Sequence, residues 1–264
     1  MTDSVRGDKT TRVAGARRWL AVFVALLAMV ASTRASGEGD SIAEKQPAPP
    51  AITEDVVRMM ELGKLLMGQN NPAYALVAEK LPVATRNAAG KQALQVFQAV
   101  VKREPRYADG WLWLGITCIE RLEYGKEGTP GKPVRTPAAI NEGIEAFRTA
   151  YLHDRANEDC VKYYGDALME FRQDFDTARK LWLGYLEVAK TDLQQMIAYV
   201  QAARACLNKA YFGKEAKQPV DVVRQQYLEA ESYVKKAADL CPNARDVKEM
   251  QQLLQQHKRL LTGK

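Results

Sequence analysis

The feature that most constrains this 264-residue chain is a spacing of small, large and turn-forming residues that recurs along it. The first copy places Ala93, Phe97, Val100 and Pro105 at offsets 0, 4, 7 and 12. The same offsets give Gly143, Phe147, Ala150 and Arg155, then Ala178, Trp182, Tyr185 and Lys190, then Ala230, Val234, Ala237 and Pro242. Offsets of 4 and 7 keep side chains on one face of an α-helix. The chain is therefore predicted to be built from repeated helical units.

A second pattern, with offsets 0, 3 and 4, lies upstream of each copy. Its copies are Met59-Leu62-Gly63, Trp111-Leu114-Gly115, Val161-Tyr164-Gly165 and Met196-Tyr199-Val200. Apolar residues keep a helical period from residue 54 onward, and no convincing alternating stretch predicts a strand. We therefore expect an all-α fold in which two kinds of helix alternate.

Together the two patterns resemble the tetratricopeptide repeat (TPR), in which helix A carries a bulky residue, Leu and Gly, and helix B carries Ala, an aromatic residue, Ala and Pro. The junction of Pro105 with the Trp111–Gly115 stretch has the family's spacing. The resemblance implies a right-handed superhelical α-solenoid of antiparallel helix pairs, closed by a C-terminal capping helix. Small residues such as Gly115 and Gly165 would let helix B approach helix A, where the large aromatic residues fill the layer between them.

This register divides the chain into units of unequal length. The units are 56–107, 108–157, 158–192 and 193–244, with a cap at 245–261. Only the third approaches the family's length; the others carry extra residues between helix A and helix B. We expect a loop at 125–133, a mixed insert at 68–90 with a short helix near Pro72–Leu81, and a lengthened hairpin that turns at Gly213–Gln218.

The N-terminus reads as a targeting segment followed by a linker. Residues 1–18 are polar and basic, Trp19–Ala31 is an apolar run of 13 residues, and Thr33-Arg34-Ala35 offers a cleavage site. Thirteen helical residues are too short for the hydrocarbon core of a bilayer, which favours a cleaved signal peptide (1–35) over an uncleaved membrane anchor. Residues 36–53 are rich in Pro and Ser and predict a disordered linker. We expect export to the periplasm or the cell exterior.

The basic character of the chain comes mostly from this segment. The whole chain has 38 Lys and Arg against 32 Asp and Glu, a net charge of +6. Residues 1–35 hold six basic and two acidic residues, so the remainder carries 32 against 30, or about +2. This balance gives no support for nucleic-acid binding, and we expect none.

The resemblance places partner binding on the concave face lined by the A helices. In this register the candidate partner-binding residues are Trp113, Lys162, Tyr163, Asp166, Gln201 and Arg204. The aromatic pair could form a floor, and the two cationic side chains could take a carboxylate. The competing interpretation is that Trp113 simply packs against a neighbouring lengthened helix.

The sequence predicts neither catalysis nor a metal or cofactor site. It contains two His, and its four Cys lack C-x-x-C spacing; no P-loop, G-x-S-x-G or H-E-x-x-H motif is present. We expect Cys118 and Cys160 to be buried thiols, while a Cys206–Cys241 disulfide requires the long hairpin to fold back. Two functions fit: a non-enzymatic exported adaptor for a peptide or protein partner, and a structural subunit of a membrane-associated transport or secretion assembly in the cell envelope.

The targeting segment yields the first testable prediction. We expect cleavage near Ala35, because the order of basic, apolar and small residues is that of a signal peptide. Intact-mass spectrometry of the native protein should show a chain that begins close to residue 36. A soluble native protein that retains residues 1–35 would contradict the prediction.

Overall fold

A computed structural model describes residues 52–75 and 80–262 of the chain, with side chains up to residue 258. The expected signal peptide and all of the linker except residues 52 and 53 lie outside these residues. The helices are α1 (Glu54–Asn70), α2 (Val83–Arg103), α3 (Ala108–Glu120), α4 (Pro137–His153), α5 (Glu158–Ala167), α6 (Phe175–Tyr185), α7 (Asp192–Glu215), α8 (Val220–Leu240) and α9 (Arg245–Thr262). The expected all-α class is confirmed. Within the described residues, no helix is long and apolar enough to span a bilayer.

The helices pack in the order in which they occur. Each helix contacts the next one along the chain, and the contacts are most extensive in the pairs α1/α2, α3/α4 and α7/α8. Alternate helices also meet, since α3 contacts both α1 and α5, and α7 contacts α9. One buried core runs from α1 into α7, and a second joins α7, α8 and α9.

A glycine opposite a large aromatic ring recurs in the first three helix pairs. A Cβ atom added to Gly63 would lie 2.5 Å from the Phe97 ring, and one added to Gly115 would lie 2.5 Å from the Phe147 ring. At Gly165 the added atom would lie 3.0 Å from Nε1 of Trp182. The three rings are almost completely buried. In each of these pairs the two helices come closest where a glycine of one helix faces a large aromatic side chain of the other.

The residues that lie four positions before Phe97, Phe147, Trp182 and Val234 are small for a related reason. Ala93, Ala178 and Ala230 have no exposed surface. A Cβ atom on Gly143 would lie 2.6 Å from Cγ1 of Ile119. The fourth pair has Val200 and Val234 in place of glycine and the aromatic residue, and both are buried.

One member of the helix A pattern, Leu62, is exposed, although the pattern predicts a core position there. Leu62 is 47% exposed, whereas Leu114 and Tyr164 at the equivalent positions are 4% and 9% exposed. The difference has a physical reason. The ring of Tyr164 lies 6.1 Å from that of Tyr151 on the preceding helix α4, but no described helix precedes α1.

The expectation that strands are absent is wrong for one small element. Residues Leu122–Glu123 (β1) pair antiparallel with Lys132–Pro133 (β2) and close the insert of the second helix pair into a short ladder. Two-residue strands leave no alternating pattern long enough to recognise in a sequence. The described part of the expected helix near Pro72–Leu81 also differs, since residues 72–74 form a turn and α2 begins only at Val83.

The buried Asn70 and the half-buried Asn87 connect this ladder to the first helix pair. Asn70 Nδ2 donates to the carbonyl oxygens of Arg86 and Leu122, each at 2.9 Å, and the amide N–H of Leu122 donates back to Asn70 Oδ1 at 2.8 Å. Asn87 exchanges a similar pair of hydrogen bonds with the backbone of Tyr124. The phenol hydroxyl of Tyr124 donates to the carbonyl oxygen of Asn70 at 2.7 Å. The side-chain amides of Asn70 and Asn87 thus satisfy backbone hydrogen-bonding groups of the insert that a longer sheet would satisfy with neighbouring strands.

The helix ends depart in detail from the predicted ones, and the four cysteines are free thiols. Helix α7 continues to Glu215 and α8 begins at Val220, so the turn is shorter than predicted. Residues Leu168–Arg172 extend α5 by a π-helical turn that ends at Gln173 with φ of 53°. Cys118 and Cys160 are buried free thiols, as expected, and Cys206 and Cys241 are also unbridged.

The glycine contacts predict opposite effects for two alanine substitutions. Gly115→Ala should lower the free energy of unfolding by about 1–3 kcal/mol, because the new methyl group would overlap a buried ring. Gly184→Ala is the matched control, since nothing lies within 4 Å of its Cβ position. That substitution should stabilise helix α6 by up to about 1 kcal/mol. Urea unfolding of the two variants measures both changes, and equal effects would contradict the packing described.

Candidate functional site

The six residues predicted to bind a partner lie on three helices that carry the A pattern. Trp113 is on α3, Lys162, Tyr163 and Asp166 are on α5, and Gln201 and Arg204 are on α7. All six side chains are half-buried. Their apolar neighbours in the same register, including Leu112, Ile116 and Met169, are buried. We call these six residues and the surface between them the candidate face.

One half of the candidate face is a charged and polar cluster that joins α5 to α7. Arg204 lies 3.2 Å from the Asp166 carboxylate and 3.4 Å from Oε1 of Gln201. The side chains of Asp166 and Arg204 are 21% and 35% exposed. Burial raises the pKa of Asp166, and the positive charges of Arg204 and Lys162 act against that rise. The expected cationic site is therefore already neutralised in part by a carboxylate of the same chain.

Lys162 stands beside this cluster and is influenced by several side chains. Its Nζ atom lies 5.9 Å from the centre of the Tyr163 ring. Its charge also opposes the burial-driven increases in the pKa of Glu158, Asp166 and Asp246. Because Asp246 is on α9, the charge of Lys162 on α5 also acts on a carboxylate of the final described helix.

The other half of the candidate face is aromatic. Trp113 stacks on Phe97 with ring centres 5.9 Å apart, and Lys64 lies 5.3 Å above the tryptophan ring. Tyr163 packs against Phe147 at 5.5 Å. The sequence placed Trp113 and Tyr163 on one floor, but their rings do not form a direct pair.

Tyr74 joins the two rings, and the sequence interpretation did not identify it. It meets Trp113 edge to face at 5.7 Å, and its phenol group interacts with that of Tyr163. Burial is the main cause that raises the pKa of both tyrosines, and the nearby Glu120 carboxylate raises them further. Tyr74 comes from the insert between α1 and α2, so part of the aromatic floor is covered by this chain itself. The turn signal Asn71-Pro72, with Asn71 Oδ1 accepting from the N–H of Ala73, is the only local hint of its position.

Glu120 is the acidic neighbour of this aromatic pair. It is half-buried at the end of α3, and burial raises its pKa. Arg135, from the insert of the second helix pair, lowers that pKa and also forms an ion pair with Glu170 at 2.7 Å. The insert that contains the ladder thus supplies one positive charge, that of Arg135, at the border of the candidate face.

A separate cavity of about 320 Å³ lies at the far end of the longest hairpin. It is lined mainly by apolar groups from α7, α8 and α9: Ala210, Tyr211, Lys214, Glu215, Val223, Tyr227 and His257. Burial and the nearby Lys214 lower the pKa of His257. None of the six predicted residues lines this cavity. Among the described residues, no group of three or more His, Cys, Asp or Glu is arranged to hold a metal ion.

No family model matches this sequence, and no curated protein matches it significantly.

The ion pair in the candidate face predicts a pH-dependent effect. Arg204→Met should lower the free energy of unfolding at pH 7 by about 1 kcal/mol, a low value because both partners are partly exposed. The loss should shrink as the pH falls, because Asp166, whose pKa is raised, takes up a proton and no longer attracts the guanidinium group. Urea unfolding at pH 7 and pH 4 gives the comparison.

The matched control removes both charges. In an Asp166→Asn background, Arg204→Met should change the unfolding free energy by a smaller and nearly pH-independent amount. An identical loss in both backgrounds would show that the 3.2 Å contact does not couple the two residues.

Proposed function

We propose that this chain is a non-enzymatic exported adaptor of the TPR type, which binds a peptide or protein partner through the candidate face. The observation that carries the proposal is the continuity of that face. Side chains from α3, α5 and α7, which are far apart in sequence, connect through Tyr74 and the Asp166–Arg204 pair while remaining half-exposed. Half-exposed aromatic and Arg side chains are common anchors in protein interfaces.

The repeated glycine–aromatic contacts support the finer architecture that the proposal needs. In a right-handed superhelical solenoid of antiparallel helix pairs, the A helices stand side by side and line one surface. The contacts of α3 with α1 and with α5, and of α7 with α9, agree with such a stack. The polar outward residues of α9 suit a capping helix.

The charged half of the candidate face is a better site for the partner than the aromatic half. Trp113 is already in contact with Phe97, Tyr74 and Lys64, which leaves little of the ring for another molecule. The cluster around Asp166 and Arg204 presents both an acid and a base, and it suits a polar peptide segment that can exchange charge-assisted hydrogen bonds. Export to the periplasm or cell exterior is part of the proposal and depends on the N-terminal segment.

A structural subunit of an envelope transport or secretion assembly is the second candidate. Exposed apolar residues away from the candidate face favour it, including Val57, Leu65, Val220 and Leu228. Such residues suit permanent contacts with other subunits better than reversible binding of a peptide.

Capture of envelope proteins by variants separates the two functions. The immobilised chain should retain a protein that Lys162→Ala loses, because Lys162 is half-exposed beside the charged cluster. Lys180→Ala, an equal change of charge at an exposed position of α6, should retain it. Circular dichroism should show the same helicity and melting temperature for all three proteins.

The opposite pattern would favour packing over binding. If Trp113→Ala lowers the melting temperature and neither lysine variant changes the captured proteins, the candidate face is part of the core. The structural-subunit function would then be the better account.

A further inference from the structure

The first helix carries apolar side chains that the described residues leave about half exposed. Val57, Leu62 and Leu65 are 43%, 47% and 60% exposed on the outer side of α1. Leu62 occupies the position at which Leu114 and Tyr164 are buried in the next two helix pairs, and Tyr164 there packs against Tyr151 of the preceding helix. The outer side of α1 therefore has the composition of a surface that receives another helix.

The last described helix, α9, differs from α1 because it buries its apolar side chains and exposes polar ones. Helix α9 buries Val247, Met250 and Leu254 against α7 and α8. Among the side chains of α9 that the structure describes, which run to residue 258, the exposed ones are polar and include Lys248, Gln251, Gln252, Gln255 and Gln256. An end-to-end contact between copies would place the apolar residues of α1 against this polar surface. That arrangement gains little apolar burial, so a filament is not favoured.

Two copies of α1 complement each other better. Among the apolar residues, the outer side of α1 carries Arg58 and Glu61. When two such helices pair antiparallel about a two-fold axis between Met59 and Met60, Arg58 of each copy faces Glu61 of the other. Opposite charges across a helix pair fix its register, and a two-fold contact closes without exposing a new surface.

The ion pair that Arg58 makes within its own chain does not prevent this exchange. Arg58 bonds to Glu54 one turn earlier on α1, and the two side chains are 72% and 78% exposed. An exposed pair of this kind contributes little to stability, so Arg58 can change partners at small cost. Asp55, which flanks this surface, bonds to Arg103 of α2.

We propose that this chain forms a two-fold dimer in which α1 of one copy packs antiparallel against α1 of a second copy. The inference does not depend on the adaptor function, because the residues of the candidate face are on α3, α5 and α7 and not on α1. A single pair of helices buries less than the roughly 800 Å² per partner of standard interfaces. We therefore expect a dissociation constant on the order of micromolar and a dimer that dissociates on dilution.

Sedimentation of the protein as recovered after export, over a wide concentration range, tests the proposal. The wild-type chain should change from monomer to dimer as its concentration rises. Arg58→Glu and Glu61→Arg should each raise the dissociation constant about tenfold, and the double variant should restore it to within about threefold. Leu62→Lys should abolish the dimer, whereas Lys235→Glu on the exposed side of α8 should leave it unchanged.

Three results would overturn the proposal. A wild-type chain that stays monomeric at the highest concentration has no such interface; its exposed apolar residues then meet another segment or another protein. A dimer that survives Leu62→Lys uses a different surface. A double charge variant as weak as the single variants excludes the antiparallel register. Loss of partner capture by Lys162→Ala is independent of all three, so failure of the dimer and failure of the adaptor are distinguishable.

Discussion

The contact between a glycine on one helix and an aromatic ring on the next is the constraint on which this structure depends. It occurs at Gly63, Gly115 and Gly165, each time with a buried ring opposite. The contact sets how closely two helices approach, and it also fixes which face of each helix is turned away from the core. The side chains of Trp113 and Tyr163 come to the surface two residues before their glycines for this reason. The candidate face is thus a consequence of core packing rather than an addition to it.

Much of the fold could be predicted from spacing because packing of this kind leaves a regular pattern. The positions of Ala93, Phe97 and Val100, and of their later equivalents, predicted buried faces that the structure has. The pattern could not predict that Leu62 would be exposed. Burial of that position is a property of the preceding helix pair, and a local spacing carries no information about whether such a pair exists. The pattern thus predicts correctly which side chains share a helix face, but it predicts their burial wrongly in α1, which no described helix precedes.

The inserts were harder to predict because their contacts are long-range and specific. Asn70 bonds to Leu122, which is 52 positions away, through a geometry that no periodic pattern records. Tyr74 likewise reaches Trp113 and Tyr163 from a turn whose sequence indicates only a change of direction. This unpredicted tyrosine connects the two aromatic residues of the candidate face, Trp113 and Tyr163. The sequence pattern predicted which helix positions form the candidate face. It did not predict that Tyr74 would pack over two of them, because Tyr74 lies outside the pattern.

The adaptor function requires that the charged half of the candidate face, between α5 and α7, meets another protein. Photo-crosslinking in living cells tests it, because the reaction captures whichever protein lies against the chosen position. A benzophenone amino acid should replace Gln201, which is half-buried within the candidate face, and in a second strain Lys235, which is exposed on α8. We predict a discrete adduct with a second protein from position 201 and none from position 235. Adducts from position 235 alone, or from neither position, would contradict the claim.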